Sequence, residues 1–262
     1  LIFGLCGMPK LGVAGAAVAT VIGQIVGGTL GLLFNISKNK EITLSVKGFR
    51  PDGKTIANIY KVGVPSIIMQ AIGSVMTYGM NMILITFSST ATAVFGVYFK
   101  LQSFFFMPVF GLNNGLIPIV AYNYGAGKRS RLVKAIKCSL VYAFMLLFVG
   151  FVVFETVPEV LLGMFEASDE MLAIGVPALH IIGVHFLVAW FCIIAGSVFQ
   201  ALGNGVYSLV VSVARQLVVL LPVAFLLSKL GGLHAVWWAF PIAEVMSLCV
   251  STLFMIRINQ KV

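Results

Sequence analysis

Arg215 and Glu244 stand inside two neighbouring apolar runs, residues 206–227 and 233–256, and Lys100 stands inside a third, residues 91–122. A charge held at the centre of a hydrocarbon layer costs on the order of 3 kcal/mol, so each of the three calls for a partner or for water. At about 1.5 Å of rise per residue, Arg215 lies roughly 14 Å from one end of its run and Glu244 roughly 16 Å from the opposite end of the next. Both therefore fall at similar depth on sequence-adjacent helices. Two kinds of chemistry fit. One is a buried ion pair that orients the bundle. The other is a carboxylate that takes up and releases protons. Lys100 heads a stripe with Gln102, Asn113 and Asn114, which shares its run with Phe104, Phe105, Phe106 and Met107. Aromatic and thioether groups beside amides suit a roomy site for amphipathic cations or other mixed ligands. Gln70, Asn81, His180, His185 and Gln200 add polarity elsewhere, each readable alone as an interhelical hydrogen bond. The three histidines and four cysteines show no metal-ligand spacing, and neither H-E-x-x-H nor G-x-S-x-G occurs. An enzyme is not expected, nor is a bound metal or cofactor.

These residues have to be positioned by membrane-spanning helices. Of 262 residues, 60% are hydrophobic and only 10% charged, with a mean hydropathy of +1.06. Globular chains carry about 25% charged residues, so a soluble fold of this size lacks the charge to cover itself. Seven stretches reach the roughly 20 apolar residues that a bilayer requires: 12–34, 62–87, 91–122, 132–154, 171–202, 206–227 and 233–256. The runs are continuous rather than alternating, which selects helices over barrel strands. Pro65, Pro108, Pro118, Pro177, Pro222 and Pro241 interrupt them, each removing a backbone hydrogen bond. Residues 1–9 read as the tail of an earlier helix. No basic segment precedes the first apolar run, so no secretory signal is expected.

The charges orient the bundle. Thirteen basic residues fall on one side if the crossings alternate: Lys38 to Lys61 in the first connection, Lys128 to Lys137 after the third crossing, and Arg257 and Lys261 at the end. The other side receives Lys10, Lys229 and the acids Glu155, Glu159, Glu166, Asp169 and Glu170. Basic loops stay in the cytoplasm. The net charge of +9 is therefore a topology signal, with a cytoplasmic C-terminus in the cell membrane, and not a nucleic-acid footprint.

Residues 12–24 and 232–244 share a weak repeat, with Gly12/Gly232, Ala19/Ala239 and Ile22/Ile242 identical and Gln24 opposite Glu244. The two segments are offset by six crossings and run in the same direction. Parallel six-helix halves of a transporter produce that pattern. Gly15, Ala19, Gly23, Gly27 and Gly31 lie at steps of four along the first helix, and Gly111 and Gly115 repeat the spacing in the third, a device for close backbone packing.

The stretch from Phe106 to Gly127 resembles a signature of the multidrug and toxic compound extrusion (MATE) family, most specifically Asn123, Tyr124, Gly125, Ala126 and Gly127 ahead of Lys128. Leu11-Gly-Val-Ala-Gly15, Val62-Gly-Val-Pro-Ser66 and Ala214-Arg-Gln-Leu217 followed by Pro222 agree, in the right order. The resemblance implies an all-α polytopic membrane protein of twelve helices in two lobes, of which this chain supplies the sixth helix and the complete six-helix second lobe. Residues 1–36 would then be the end of a first lobe missing here, 37–61 a basic cytoplasmic inter-lobe loop, and 62–262 the second lobe. It also implies export of drugs or other amphipathic, often cationic compounds by antiport with protons or sodium. The partners would be the lipid bilayer, the substrate and the missing N-terminal lobe. The alternative within the same superfamily is a flippase for lipid-linked oligosaccharides or lipids, which would want more basic cavity residues. Sodium-coupled relatives carry acids on the seventh and tenth helices. The matching stretches here, 62–87 and 171–202, hold none, with Gln70 as a polar stand-in. That leaves Glu244 as the coupling candidate in this chain and otherwise places coupling in the missing lobe. A seven-helix retinal protein is excluded because residues 233–256 contain no lysine.

The orientation predicts that, in a background lacking native cysteines, an impermeant maleimide added to intact cells labels Glu166→Cys and leaves Arg131→Cys unlabelled. The reverse pattern would invert the topology.

Overall fold

The computed structural model describes residues 12–38 and 50–259. The expected helix tail at residues 1–9 and residues 39–49 of the basic connection lie outside the described residues. The chain divides into two compact units, Leu1–Ile56 and Ala57–Val262.

The first unit contains α1, Gly12–Lys38, which closes on a lysine at its negative C-terminal end. The hydroxyls of Thr20, Thr29 and Ser37 donate back to the carbonyls of Ala16, Ile25 and Leu33, which satisfies them without water. α2 spans Gly53–Leu84 and begins nine residues before the apolar run at 62. Its start is set by a cap rather than by hydropathy. Asp52 accepts hydrogen bonds from the Thr55 hydroxyl and backbone N–H and, more weakly, from the Lys54 N–H. The Thr55 hydroxyl, then the two backbone donors, hold the Asp52 carboxyl below its ordinary value. The capping contribution is therefore present at neutral pH and is lost only as pH falls through that depressed value.

In the second unit the elements follow as α3 (Ser89–Gly125), α4 (Arg129–Thr156), α5 (Pro158–Gly163), α6 (Asp169–Gly183), α7 (Phe186–Ala201), α8 (Gly205–Val213), a π-helical segment (Ala214–Leu220), α9 (Leu221–Leu230), α10 (Gly232–Val236) and α11 (Ala239–Asn259). The described residues contain no strand. Among the described residues, six runs are long and apolar enough to cross a membrane: α1, α2, α3, α4, Gly205–Leu230 and Gly232–Ile258. The pair α6 and α7 makes a seventh, bent by 52°. The fifth crossing is thus two helices where the sequence reading expected one. The break is tightened by i→i+3 hydrogen bonds from the His185, Leu187 and Val188 N–H groups.

Helix ends are written into the chain. Ser88 and Ser168 cap α3 and α6 by accepting from the Ala91 and Met171 N–H groups, and Asp169 and Glu170 favour the positive end of α6. Gly127 ends α3 at φ +66°, with the Lys128 N–H donating to Asn123 and the Gly127 N–H to Tyr124. That is a Schellman turn. Gly203 ends α7 the same way, at φ +75°. Gly12 and Gly232, paired in the sequence repeat, also share a left-handed backbone, φ +56° and +69°.

The core of the second unit is aromatic. Phe95, Tyr98, Phe154, Phe186, Phe199 and Trp237 are fully buried. α4 packs between α3 and α7, and Gly150 makes this possible: a methyl there would stand 2.9 Å from ring atoms of both Phe105 and Phe186. Among the described residues, Gly111 and Gly115 pack closely against nothing. A methyl at either would meet nothing within 4 Å, because the buried face of this part of α3 is Val109, Asn113, Leu116 and Val120, and the glycines lie on the other side.

Gly150→Ala is predicted to destabilise the detergent-solubilised chain by about 1–3 kcal/mol through overpacking against two stiff rings. Gly111→Ala should stay within about 0.5 kcal/mol or gain slightly in helix propensity. Equal midpoints in thermal unfolding would contradict this packing.

Candidate functional site

The site is built around a place where the helical ladder is irregular. Pro222 offers no N–H and its ring crowds the carbonyl of Val218 four residues back. The chain meets this with the wider π turn from Ala214 to Leu220, and Arg215 lies on it. On the facing helix Pro241 sits one turn before Glu244. Arg215 Nη1 donates to Glu244 Oε2 at 3.2 Å and to Oε1 at 3.5 Å. The sequence left open whether these residues meet, and in the structure they do.

The pair adjoins a cavity of about 940 Å³ within the second unit, walled by α2, α3, α7, the π segment and α11. Tyr98, Gln102, Phe106 and Phe110 face it from α3 at steps of four, and Ser66, Gln70, Thr77 and Asn81 face it from α2. Gln200, Gln216 and His185 supply further polar groups. A smaller cavity of about 430 Å³ continues past Gln70, Gln200 and Arg215 to Asn113 and Asn114. Of the polar residues singled out from sequence, Gln70, Asn81, Gln102, Asn113, Asn114 and Gln200 therefore gather around two adjoining spaces. Among the described residues, Arg215 and Glu244 are the only charged side chains lining either.

His185 is buried at the α6–α7 bend, its Nδ1 directed at the Ile182 carbonyl and its ring against Phe106 and Phe186. Tyr98 lies edge-on to Phe240 and to His185, with ring centroids 5.6 and 6.4 Å apart.

Two expectations are corrected. Lys100 does not face the cavity; it is exposed, with its ammonium 5.8 Å from the Phe165 ring in the turn after α5. α3 has 37 residues, so at about 1.5 Å each it exceeds a hydrocarbon layer of about 30 Å by far. Lys100 therefore sits on the surface of this unit beside Phe165, where a long side chain can carry its ammonium away from apolar neighbours. Phe105 is also outside the cavity. It packs on Gly150, Phe154 and Phe186, on the flank of α3 turned to α4 and α7.

The residues Asn123, Tyr124, Gly125, Ala126 and Gly127 line neither cavity and form the end of α3. Asn123 Nδ2 donates to the Ile119 carbonyl at 2.8 Å, and Gly127 supplies the left-handed turn. Tyr98 and Gln216 went unnoticed in the sequence. The four-residue step from Gln102 back to Tyr98 and the adjacency of Gln216 to Arg215 were the available signals.

Comparison with known proteins agrees with this architecture. The model describing the MatE family matches residues 65–226. The multidrug export protein MepA of Staphylococcus haemolyticus is 28% identical over 244 residues, covering 93% of this chain and 53% of the relative. MepA of Staphylococcus saprophyticus is 27% identical over 261 residues, covering 100% and 56%. A solved ligand complex of the MATE multidrug transporter DinF-BH is 34% identical, with a TM-score of 0.84, covering 98% of this chain and 57% of its own. An outward-facing multidrug resistance MATE family transporter, 22% identical, shares the fold with a TM-score of 0.87 over 99% of this chain and 58% of its own. The chain spans about half the length of the relatives it matches. With the family model covering most of the second unit, the chain belongs to the MATE family of multi-span helical membrane proteins.

Proposed function

We propose that this chain forms the sixth helix and second lobe of a secondary active transporter that exports amphipathic, often cationic compounds in exchange for protons or sodium. It works in the plasma membrane with its C-terminus in the cytoplasm. The observation that carries the reading is the cavity walled by Tyr98, Phe106, Phe110, Phe240 and the amides Gln70, Gln102 and Gln200. Rings offer a broad apolar surface and a negative face for a cation, while amides adapt to varied polar groups. Its volume of about 940 Å³ is that of a site for drug-sized molecules. The names of MepA and DinF-BH as multidrug proteins support the same substrate class.

Alternating access requires one lobe to rock against another, so transport belongs to the two lobes together. The coupling cation is taken up in the first lobe. Glu244 is engaged by Arg215, and α2, α6 and α7 offer no acid to either cavity. A flippase for lipid-linked oligosaccharides would want several basic cavity residues. Arg215 is the only arginine or lysine that lines these spaces among the described residues, which favours the efflux reading.

Residues 1–262 in nanodiscs are predicted to bind ethidium, and Gln70→Leu combined with Gln200→Leu is predicted to weaken that binding at least fivefold. The same chain alone in vesicles should give no gradient-driven dye accumulation. Absence of ethidium binding, or an unchanged affinity in the double variant, would reject this cavity as the substrate site.

A further inference from the structure

The basic residues that orient the bundle are bunched rather than spread. Lys128, Arg129, Arg131, Lys134 and Lys137 fall within ten residues at the entry to α4, and α4 carries no acid before Glu155 near its far end. Arg129, Lys134 and Lys137 border a hollow of about 660 Å³ on the α4 surface. Lys134 and Lys137 are exposed and, among the described residues, have no ion-pair partner. Further along the same helix an apolar groove of about 740 Å³ opens between α3 and α4. Phe105, Pro108 and Leu112 line it from α3, and Tyr142, Met145 and Val149 from α4. One line of side chains joins the two spaces. Lys134, Cys138, Tyr142, Met145 and Val149 follow at steps of four, four, three and four, which keeps them on one helix face, and all five are exposed. From Cys138 to Val149 the helix rises roughly 16 Å at about 1.5 Å per residue. That is close to one leaflet of a hydrocarbon core about 30 Å thick.

Positive charge at the rim and an apolar trough one leaflet deep match the two parts of a phospholipid. Acyl chains are as apolar as the groove, so the groove seats a chain without choosing between lipids. The choice falls to the headgroup, whose net negative charge the lysines attract. We infer that the α3–α4 face binds one anionic phospholipid of the adjoining leaflet, with its headgroup on Lys134 and Lys137 and an acyl chain in the groove past Tyr142. A zwitterionic lipid enters the same groove without net attraction to the lysines. The site shares no lining residue with the two cavities that Arg215 borders, so it stands apart from the proposed substrate site.

In the test, the detergent-solubilised chain, residues 1–262, is titrated with dioleoyl phosphatidylglycerol or dioleoyl phosphatidylcholine, and bound lipid is read by native mass spectrometry. The two lipids share their acyl chains and differ in headgroup charge. The anionic lipid is expected to bind at least fivefold more tightly. Lys134→Gln with Lys137→Gln should bring the ratio to within twofold of one. Lys100→Gln with Lys229→Gln removes the same charge elsewhere and should leave the ratio unchanged. Val149→Trp fills the groove and should weaken binding of both lipids at least threefold. Inorganic phosphate in large excess should not displace the anionic lipid. Thermal unfolding of each variant confirms that it is folded. Equal affinity of the unsubstituted chain for the two lipids overturns the inference. So does a preference that survives the Lys134 and Lys137 substitutions, or one that the Lys100 and Lys229 substitutions abolish as well, since the attraction then belongs to the protein's overall charge. Displacement by phosphate, or indifference to Val149→Trp, overturns it too, because the lysines then hold an anion and not a lipid.

Discussion

A carboxylate and a guanidinium 3.2 Å apart, on two helices that lie in apolar sequence, constrain much of the second unit. Leaving either charge alone among these apolar helices would cost several kcal/mol. The helix carrying Arg215 and the helix carrying Glu244 must therefore keep their depth and rotation relative to each other. The π segment and Pro222 set the depth and direction of Arg215, and the helix that begins beyond Trp237 and Trp238 presents Glu244. The rings of Tyr98, His185 and Phe240 pack on one another and line the same cavity as the pair.

The same region concentrates backbone irregularity. The π turn, the 52° bend at His185 and the break before α11 all border the main cavity. The contact between α3 and α4, by contrast, involves no such break: both helices run on and pack tightly through Gly150. Irregular backbone inside a membrane is sustainable only where it is covered by protein or borders a polar space. The cavity and the irregularities are in this sense one feature. Unbroken α3 gives the cavity a wall that carries Tyr98, Gln102 and Phe106, and the irregular segments bring Arg215, His185 and Glu244 to it.

Much of this was legible in the sequence, for reasons that can be named. Apolar length and loop charge gave seven crossings, because burial of backbone in lipid leaves few other solutions. The glycines after Tyr124 and Ala126 read as a helix end, and Gly127 holds the left-handed turn that only such a residue adopts cheaply. What stayed hidden involved side-chain direction and local backbone. Lys100 lies in an apolar run, but hydropathy does not say that its side chain turns to the surface beside Phe165. Phe105 and Phe106 are neighbours in sequence and face different spaces, which composition cannot separate. The bend at His185 carries no proline, so nothing in the run announced it.

The dependence of the lobe on its ion pair is tested most directly by thermal unfolding of four chains in one detergent: the unsubstituted chain, Arg215→Met, Glu244→Gln and the double variant. Each single substitution is predicted to cost about 3 kcal/mol, because it strands the other charge, while the double variant should return to within about 1 kcal/mol of the original. A Glu244→Gln chain as stable as the unsubstituted one would contradict the account and free Glu244 for a role in coupling.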